Sequence, residues 1–262
     1  MEDVALEARM RGIGDIIEAE APHIVCLQEV THNIEALFRA SPWWRAYEAS
    51  PSPGGCPYFT LLLMRKSVAC SGGMTRTAFA DSGQGRDLLC GSLSLGGGVS
   101  MRAATTHLES YLSAAQTSSA ERVAQMRAAL KTLSAAGANV VLAGDTNWDD
   151  ATDGNLDALL PPGWADVWRR LRPGEPGFTY DAVANAMLMG RLQKRLDRVL
   201  LCARDYEPAA VRMVGTAPLP GVTYDKVFRN GGSKRLPVCP SDHFGLLMTL
   251  RRVERRGATT AA

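Results

Sequence analysis

The stretch NVVLAGDTNWDD, residues 139–150, decides the fold. Its first half is a short apolar run with two β-branched residues, which predicts a buried strand. Its second half changes abruptly to Gly144, Asp145 and Asn147, residues typical of a turn or of a polar rim at a strand end. Residues 121–136 carry apolar side chains at helical spacing, so a helix precedes the strand. The pattern indicates a mixed α/β fold with polar groups at one end of a strand.

Apolar runs on both sides of this stretch predict the remaining elements. The glycines at 96–98 indicate a hairpin between two strands, and residues 196–202 are expected to pair with residues 211–214. The predicted strands are 23–30, 58–65, 88–95, 99–108, 139–143, 196–202, 211–214 and 244–252, and the predicted helices are 3–20, 121–136 and 164–171. Strands outnumber helices, which favours two packed sheets with helices outside, in a single domain over residues 1–252. The small and polar residues 253–262 are expected to form a disordered tail.

Composition excludes several classes of protein. Hydrophobic residues make up 46% of the 262 residues and charged residues 21%, so the body of the chain is not disordered. A net charge of +2 is too small for a protein that coats nucleic acid, although a local basic groove is compatible with it. No apolar run is long enough to span a bilayer, and the acid-rich N-terminus resembles no targeting peptide. The six cysteines form no C-x-x-C pair, which argues against zinc and favours an intracellular protein.

Five polar clusters stand at ends of the predicted strands. Each alone has an ordinary structural explanation, such as a solvated strand end, a turn or a structural histidine. They are Gln28-Glu29, His107 to Ser110, Gly144 to Asn147, Arg195 to Arg198 and Ser241 to His243. Together they suit the metal-assisted hydrolysis of a phosphodiester.

The residue types match the parts that such a reaction needs. Glu29 supplies the hard carboxylate oxygen that Mg²⁺ prefers. Asp145 can orient and deprotonate a water molecule. Asn147, His107 and His243 can donate hydrogen bonds to phosphoryl oxygens as charge develops there. A histidine used in this way is held in one tautomer by a carboxylate, for which Asp197 and Asp242 are both candidates.

The order of LQEV, HLES, GDTN, LDR and SDH along the chain resembles the endonuclease/exonuclease/phosphatase superfamily. The longer stretches THLES and PSDHFGLL resemble its tyrosyl-DNA phosphodiesterase 2 group. That resemblance implies a deoxyribonuclease I-like, four-layered α/β sandwich with two mainly antiparallel sheets flanked by helices. It also implies Mg²⁺-dependent, or Mn²⁺-dependent, cleavage of the 5′-phosphotyrosyl bond between DNA and a trapped topoisomerase. A nuclear, monomeric DNA-repair enzyme that binds DNA with a 5′-tyrosyl adduct is therefore expected.

The resemblance also implies a role for individual residues. Glu29 and Asp242 correspond to metal-site carboxylates, Asp145 to the residue that activates water, and Asn147 and His243 to phosphate contacts, while Asp197 orients His243. His107 and Ser110 correspond to a phosphate-binding pair, and Tyr58 to an aromatic residue on the DNA-binding wall. Basic residues near the motifs are candidates for DNA contacts, with a solvated surface as the alternative. These are Arg86, Lys226 and Lys234.

Two departures from the family pattern leave alternatives open. The family opens with a strand that ends in Trp-Asn, whereas the first asparagine here is Asn33 and a helix comes first, so the first strand is expected to be missing. The reason is either a truncated sequence or a weakened enzyme. Asp149 stands where the group usually has arginine, and an acid there would repel phosphate. Another nuclease or phosphatase of the superfamily, or a catalytically silent binding module, is therefore an alternative function.

Overall fold

The computed structural model describes residues 4–113, 115–228 and 231–254. The helices are α1 (Leu6–Glu20), α2 (His32–Ala40), α3 (Ser119–Ser134), α4 (Asp150–Asp153), α5 (Leu156–Leu159) and α6 (Val167–Leu171), with a 3-10 turn at Pro42–Ala46. The first strands are β1 (Ile24–Val30), β2 (Tyr47–Ala49), β3 (Phe59–Arg65), β4 (Ala69–Ala78), β5 (Asp87–Ser94), β6 (Ser100–His107) and β7 (Asn139–Asp145). The later strands are β8 (Trp164–Asp166), β9 (Tyr180–Asp181), β10 (Gln193–Lys194), β11 (Asp197–Ala203), β12 (Tyr206–Val214), β13 (Thr223–Val227), β14 (Ser233–Pro237) and β15 (Gly245–Arg252).

The larger sheet has six strands in the order β4-β5-β6-β7-β11-β8. Strand β7 lies inside this sheet and is covered on both faces, which explains its continuous apolar run. Val140 and Leu142 pack against the helices on the outer face, where they meet Leu130 of α3. Val141 points to the opposite face, into the core between the two sheets. This alternation determines which side chains at the end of β7 can face the second sheet.

The second layer contains β1-β3-β2 and β12-β15. Leu62 of β3 and Val211 of β12 pack with the inner face of the larger sheet. Helices α1 and α2 cover the other face of β1-β3-β2, where Met10 and Phe38 contact the same cluster as Leu61. The order from one side to the other is helix, sheet, sheet, helix. The four-layered α/β sandwich predicted from the sequence is therefore confirmed.

The second layer is divided into two parts. In the described ranges β1 pairs with β3 alone, and β15 pairs with β12 alone. Each of the two strands therefore has one edge without a partner strand among the described residues. In the described ranges the first strand, β1, comes after α1, and the predicted absence of an earlier strand stays a prediction.

Two sequence predictions were wrong. Residues 196–202 do not pair with 211–214, because β11 lies between β7 and β8 in the larger sheet whereas β12 pairs with β15. Strand β11 is apolar on both faces and needs an interior position, which a two-stranded hairpin could not provide. The helix predicted over 164–171 includes only Val167–Leu171, because Asp166 caps it by accepting hydrogen bonds from the amides of Trp168 and Arg169.

Other predicted elements were confirmed with different first or last residues, and some predictions concern residues that the structure does not describe. The hairpin across residues 96–98 is confirmed by the pairing of β5 with β6. The first helix begins at Leu6, and residue 3 and most of the predicted tail, residues 255–262, lie outside the described residues. The sequence did not predict α2, β4 or the β13-β14 hairpin. No helix in the described ranges has the length and apolar character to cross a membrane.

A fully buried ion pair ties α3 to the segment that follows the GDTN motif. The side chains of Arg122 and Asp153 are both 0% exposed, with Nη2 of Arg122 2.8 Å from Oδ1 of Asp153. We expect Arg122→Met to reduce the free energy of unfolding by ~3–5 kcal/mol, because it leaves a buried carboxylate without its cation. Urea unfolding measures this loss. Arg127→Met, at an exposed position on α3, is the control with a change below ~0.5 kcal/mol, and equal effects of the two variants would contradict the assignment.

The divided second layer gives a second prediction. Roughly half of the amides in an edge strand point away from its only partner strand, so they open to solvent more readily than amides inside a sheet. Hydrogen exchange followed by mass spectrometry should show faster exchange in β1 and β15 than in β7 and β11. Equal protection in all four strands would mean that another segment covers the two edges.

Candidate active site

A row of three polar side chains crosses the end of the larger sheet. The register pairs His107 of β6 with Asp145 of β7, and Asp145 with Asp197 of β11. In each strand these residues have the same alternation as the side chains that face the second sheet. The register thus brings three sequence-predicted residues side by side at one end of the inter-sheet core.

Gly144 makes this close approach possible. The residue has a φ of +159°, and a Cβ added there would overlap the carbonyl oxygen of Thr106 on the neighbouring strand. Only glycine lets β6 and β7 stay this close immediately before Asp145.

His243 completes the row from the second layer. Its Nδ1 lies 2.8 Å from Oδ2 of Asp197. Thr179 links the two strands, because its hydroxyl accepts a hydrogen bond from the amide of Asp197 and its carbonyl accepts one from the amide of Phe244. The ring of Tyr180 meets the imidazole edge-on at 5.4 Å between centroids. The pairing of Asp197 with His243, predicted from LDR and SDH, is present in the structure.

The carboxylate of Asp197 determines the charge of His243. Burial by itself lowers the pKa of this imidazole, but the charge and hydrogen bond of Asp197 outweigh burial and raise the pKa to about 10. For Asp197, burial acts to raise the pKa, and the His243 cation overcomes it, so the pKa is lowered. His243 is therefore a cation at neutral pH.

His107 has the opposite environment. It is buried, and its Nδ1 accepts a hydrogen bond from the guanidinium of Arg86 over 2.7 Å. Burial and then the charge of Arg86 lower the pKa of His107 to about 3. Its Nε2 lies 3.4 Å from Oδ2 of Asp145. His107 is therefore a neutral hydrogen-bonding group beside the predicted catalytic carboxylate.

The carboxylate of Asp145 is held in one orientation. Its Oδ1 accepts a hydrogen bond from the amide of Asn147 over 2.8 Å. Burial, followed by the negative charge of Asp197, raises the pKa of Asp145 above its usual range, and the charge of Glu29 acts in the same direction. A carboxylate with a raised pKa is a better proton acceptor, which suits activation of water.

Asn147 adopts a left-handed backbone conformation, with a φ of +48°. Asparagine tolerates this conformation better than most residues. Its side-chain amide donates to the carbonyl of Leu108, which ties the GDTN turn to the HLES segment. The turn thus carries two predicted site residues, Asp145 and Asn147, on one fixed loop.

Glu29 reaches the site because β1 has a bulge. The pairing of β1 with β3 shifts between Leu27 and Val30, and Glu29 has a φ of +54°. The preceding residue, Gln28, faces inward and donates to the hydroxyl of Thr105 on β6. A bulge redirects the side chain of its extra residue, and here it leaves the Glu29 carboxylate exposed near Asp145.

Among the described residues, one compact group of possible metal-ligating atoms is present. Ligand atoms of Asp145, Asp197 and His243 lie within 4.8 Å of one another. Two members of the group, Asp197 and His243, already share a hydrogen bond. Among the predicted ligands, the exposed Glu29 has the more accessible carboxylate.

Asp242, the other predicted metal-site residue, belongs to a braced loop. Its Oδ1 lies 3.3 Å from the hydroxyl of Ser241 and 3.9 Å from Nη2 of Arg9 on α1. Arg9 also donates to the carbonyl of Pro240. The buried side-chain amide of Asn185 donates to the carbonyls of Ser241 and Asp242. The sequence analysis missed both braces, because each contact joins residues far apart in the chain.

The predicted phosphate- and DNA-contacting residues lie in different environments. Arg86 is 4% exposed and donates to His107, to Gln84 and to the hydroxyl of Ser110. The Tyr58 ring lies 5.4 Å from the Arg86 guanidinium and 6.3 Å from the His107 ring. Arg86 is thus an interior residue of the site rather than part of an exposed basic groove.

The two predicted lysines lie opposite each other on the β13-β14 hairpin. The amine of Lys226 donates to the carbonyls of Met187 and Leu188, so it fastens the hairpin to the loop between β9 and β10. Lys234 is exposed and is the lysine of the pair better placed to meet a ligand.

The negative charge of Asp149 is paired with a lysine. Its carboxylate contacts the amine of Lys194 and caps α4 through the amide of Ala151. Burial acts against ionisation, but the Lys194 hydrogen bond leads the contacts that lower the pKa of Asp149. The repulsion of phosphate that the sequence suggested is therefore offset by the lysine beside it.

Comparison with known proteins identifies the class of protein. The profile of the Endonuclease/Exonuclease/phosphatase family matches residues 2–243. Together with the four-layered sandwich and the row of site residues at its end, this match shows that the chain belongs to that family.

Within the family, the chain is similar to tyrosyl-DNA phosphodiesterase 2. It is 30% identical to the protein of Rattus norvegicus, over 95% of this chain and 63% of that protein. The corresponding values for Mus musculus are 29%, 95% and 62%. The chain therefore spans less than two thirds of the length of these curated relatives.

Solved structures show the same relationship. TDP2 from D. rerio, complexed with a single-strand DNA product, superposes with a TM-score of 0.77 and 26% identity, covering 95% of this chain and 94% of that one. Truncated TDP2 from Caenorhabditis elegans superposes with a TM-score of 0.75 and 23% identity, covering 94% and 90% of the two chains. A mannosyl-6-phosphatase from Bacteroides thetaiotaomicron shares the fold, with a TM-score of 0.66 and 16% identity over 93% and 90%.

The paired Asp197 and His243 generate a prediction about pH. The His243 cation is present below its raised pKa of about 10 and is lost as the pH rises through that value. Asp197→Asn removes the charge that raises this pKa, so the alkaline fall in activity should move toward the ordinary histidine value of ~6.5 or below. Initial rates measured across pH on a phosphodiester substrate test this shift.

A double-mutant cycle separates a functional pair from two independent residues. His243→Ala should reduce the rate more than Asp197→Asn, and the double variant should be little slower than His243→Ala alone. If the two losses multiply instead, Asp197 and His243 do not act together.

Proposed function

We propose that this protein is a metal-dependent phosphodiesterase that hydrolyses the bond between a 5′ phosphate of DNA and a tyrosine side chain, as left by a trapped topoisomerase. The observation that carries the proposal is the convergence of Asp145, Asp197, His107 and His243 at one end of the sandwich. Similarity to tyrosyl-DNA phosphodiesterase 2 supports the substrate class. The proposal includes action as a monomer, in DNA repair and in the nucleus.

Asp145 is the residue that activates water. Its Oδ1 is occupied by the amide of Asn147, and its Oδ2 faces the Nε2 of His107. A water molecule beside this oriented carboxylate can transfer a proton to it during attack on phosphorus. The raised pKa of Asp145 increases its strength as a base.

His243 and His107 bind the phosphoryl group in different ways. His243, a cation held by Asp197, offsets the negative charge that develops on the phosphoryl oxygens. His107 and Asn147 add neutral donors, whose orientation is fixed before the substrate arrives. The fixed donors reduce the reorganisation that the transition state would otherwise require.

A hard divalent cation fits the residues present. Glu29 offers an exposed carboxylate, and its negative charge acts to raise the pKa of the buried Asp145, so carboxylates from two strands lie near each other at the site. Mg²⁺ binds one or two carboxylates and keeps several waters, which this donor set matches, and Mn²⁺ shares that preference. When bound, such an ion polarises a phosphoryl oxygen. Glu29 is the proposed ligand, and Asp242 remains a predicted one.

A substrate panel distinguishes this function from its alternatives. A 5′-tyrosyl oligonucleotide should be converted to a 5′-phosphorylated product, whereas a duplex with an abasic site and a small phosphate monoester should react far more slowly. Faster cleavage of the abasic duplex or the monoester would indicate another nuclease or a phosphatase. No hydrolysis together with no Mg²⁺ binding by calorimetry would indicate a silent binding module.

Removing the charge of Glu29 tests the metal site. Glu29→Gln preserves the shape of the side chain but weakens cation binding, so activity should fall at least ~100-fold, or ~2.7 kcal/mol of transition-state stabilisation. The Mg²⁺ dependence of the rate, with calorimetry in parallel, measures the effect. Glu48→Gln, at an exposed position on β2 of the same sheet, is the matched control. A wild-type rate for Glu29→Gln at saturating Mg²⁺ would exclude Glu29 as a ligand.

A further inference from the structure

Arg86 is a buried cation whose hydrogen-bond partners are all neutral. Nη1 donates to Nδ1 of His107 over 2.7 Å, and Nη2 donates to Oε1 of Gln84 over 2.6 Å and to the Ser110 hydroxyl over 3.3 Å. Within the described ranges, none of its hydrogen bonds goes to a carboxylate. Burying a guanidinium without a carboxylate partner costs free energy, so we expect its charge to act on another group.

The contact with His107 determines where the imidazole proton lies. A guanidinium carries only donors and does not lose its proton in proteins, so the ring nitrogen that faces it must carry a lone pair. The facing atom is Nδ1. The proton of the neutral ring is therefore on Nε2, the atom that lies 3.4 Å from Oδ2 of Asp145.

The surroundings of Arg86 keep the guanidinium in this orientation. The Tyr58 ring lies 5.4 Å from its central carbon. Gln84 receives Nη2 of Arg86 and also accepts from the amide and hydroxyl of Ser110. The backbone amide of Arg86 donates to Ser82, whose hydroxyl donates to the buried Glu109. These contacts come from three segments of the chain, so the donor that faces His107 has little freedom to turn.

The two histidines of the site thus have partners of opposite charge. His243 presents Nδ1 to the carboxylate of Asp197, whereas His107 presents Nδ1 to the guanidinium of Arg86. The first arrangement favours an imidazolium and the second excludes one. The same residue type can therefore perform two different tasks within one row.

We propose that Arg86 is a positioning residue that locks His107 as the neutral Nε2–H tautomer, so that His107 donates one hydrogen bond toward the phosphoryl group and takes no part in proton transfer. The role of His107 toward phosphate rests on the proposed function. The tautomer itself rests only on the geometry of Arg86 and His107. The low pKa of His107 is consistent with this assignment.

Nitrogen NMR on protein labelled at the histidine rings tests the tautomer without any substrate. The chain has four histidines, so the His107→Gln spectrum identifies the His107 signals by difference. From about pH 5 to about pH 8, wild-type His107 should show an unprotonated Nδ1 and a protonated Nε2, with no titration. A protonated Nδ1, or an imidazolium in this range, would overturn the proposal, and this measurement requires no variant at Arg86.

Variants at Arg86 then test whether this residue fixes the tautomer of His107. Arg86→Met should release His107 to exchange between tautomers or to titrate within the measured range, whereas Arg86→Lys retains a cationic donor and should restore the wild-type signals. Arg76→Met is the matched control, because Arg76 is bonded to Asp87 and Thr60 rather than to His107. Unchanged His107 signals in a folded Arg86→Met variant would show that Arg86 is not the lock.

Kinetics connect the tautomer to the proposed reaction. Arg86→Met should lower kcat by about 10- to 100-fold and add a pH dependence that the wild type lacks, as loss of a group that orients a catalytic side chain does. Arg86→Lys should recover most of the rate, and Arg76→Met should leave the pH profile unchanged. If the wild type hydrolyses no phosphodiester but its spectrum is as expected, the proposed function fails and the tautomer assignment stands.

Discussion

The register of three adjacent strands is the constraint on which the site depends. Parallel pairing of β6 with β7 and antiparallel pairing of β7 with β11 place His107, Asp145 and Asp197 in one line. A shift of one residue in either pairing would turn one of these side chains to the opposite face of the sheet. Both faces of these strands are packed with apolar residues, so such a shift would also expose part of the core. The same strand register is therefore required both for a stable sheet and for the geometry of the site.

The chemistry of the row depends on which charge faces each ring. Asp197 makes His243 a cation, and Arg86 keeps His107 neutral, although both imidazoles lie close to the same Asp145. Burial amplifies these effects, because a partly desolvated charge interacts with its neighbours more strongly than it does in water. The resulting site has a carboxylate that can act as a base, a cationic hydrogen-bond donor and a neutral hydrogen-bond donor. The charge of each group is determined by the residues around it.

Arginines support this arrangement from inside the protein. Arg9 braces the loop that carries His243, Arg122 joins α3 to Asp153, and Arg198 pairs with the buried Asp166 behind the GDTN turn. The basic residues near the motifs are thus partly structural, and Arg86 acts within the site. Arg122 and Arg198 thus supply the cations for two buried carboxylates outside the catalytic row, Asp153 and Asp166.

The sequence by itself determined the layered α/β class, most strands of the larger sheet and the residues that meet at its end. Strand periodicity and the position of polar clusters at strand ends carry that information, and the order of the motifs indicated the family. The tertiary structure alone decided that β11 joins β7 rather than β12, that Arg86 lies inside the site and that Lys226 fastens a loop. It also showed that Asp149 is neutralised by Lys194, a residue far along the chain. The physical reason is that strand pairing and the partner of a charge depend on neighbours distant in sequence, whereas periodicity and capping are local.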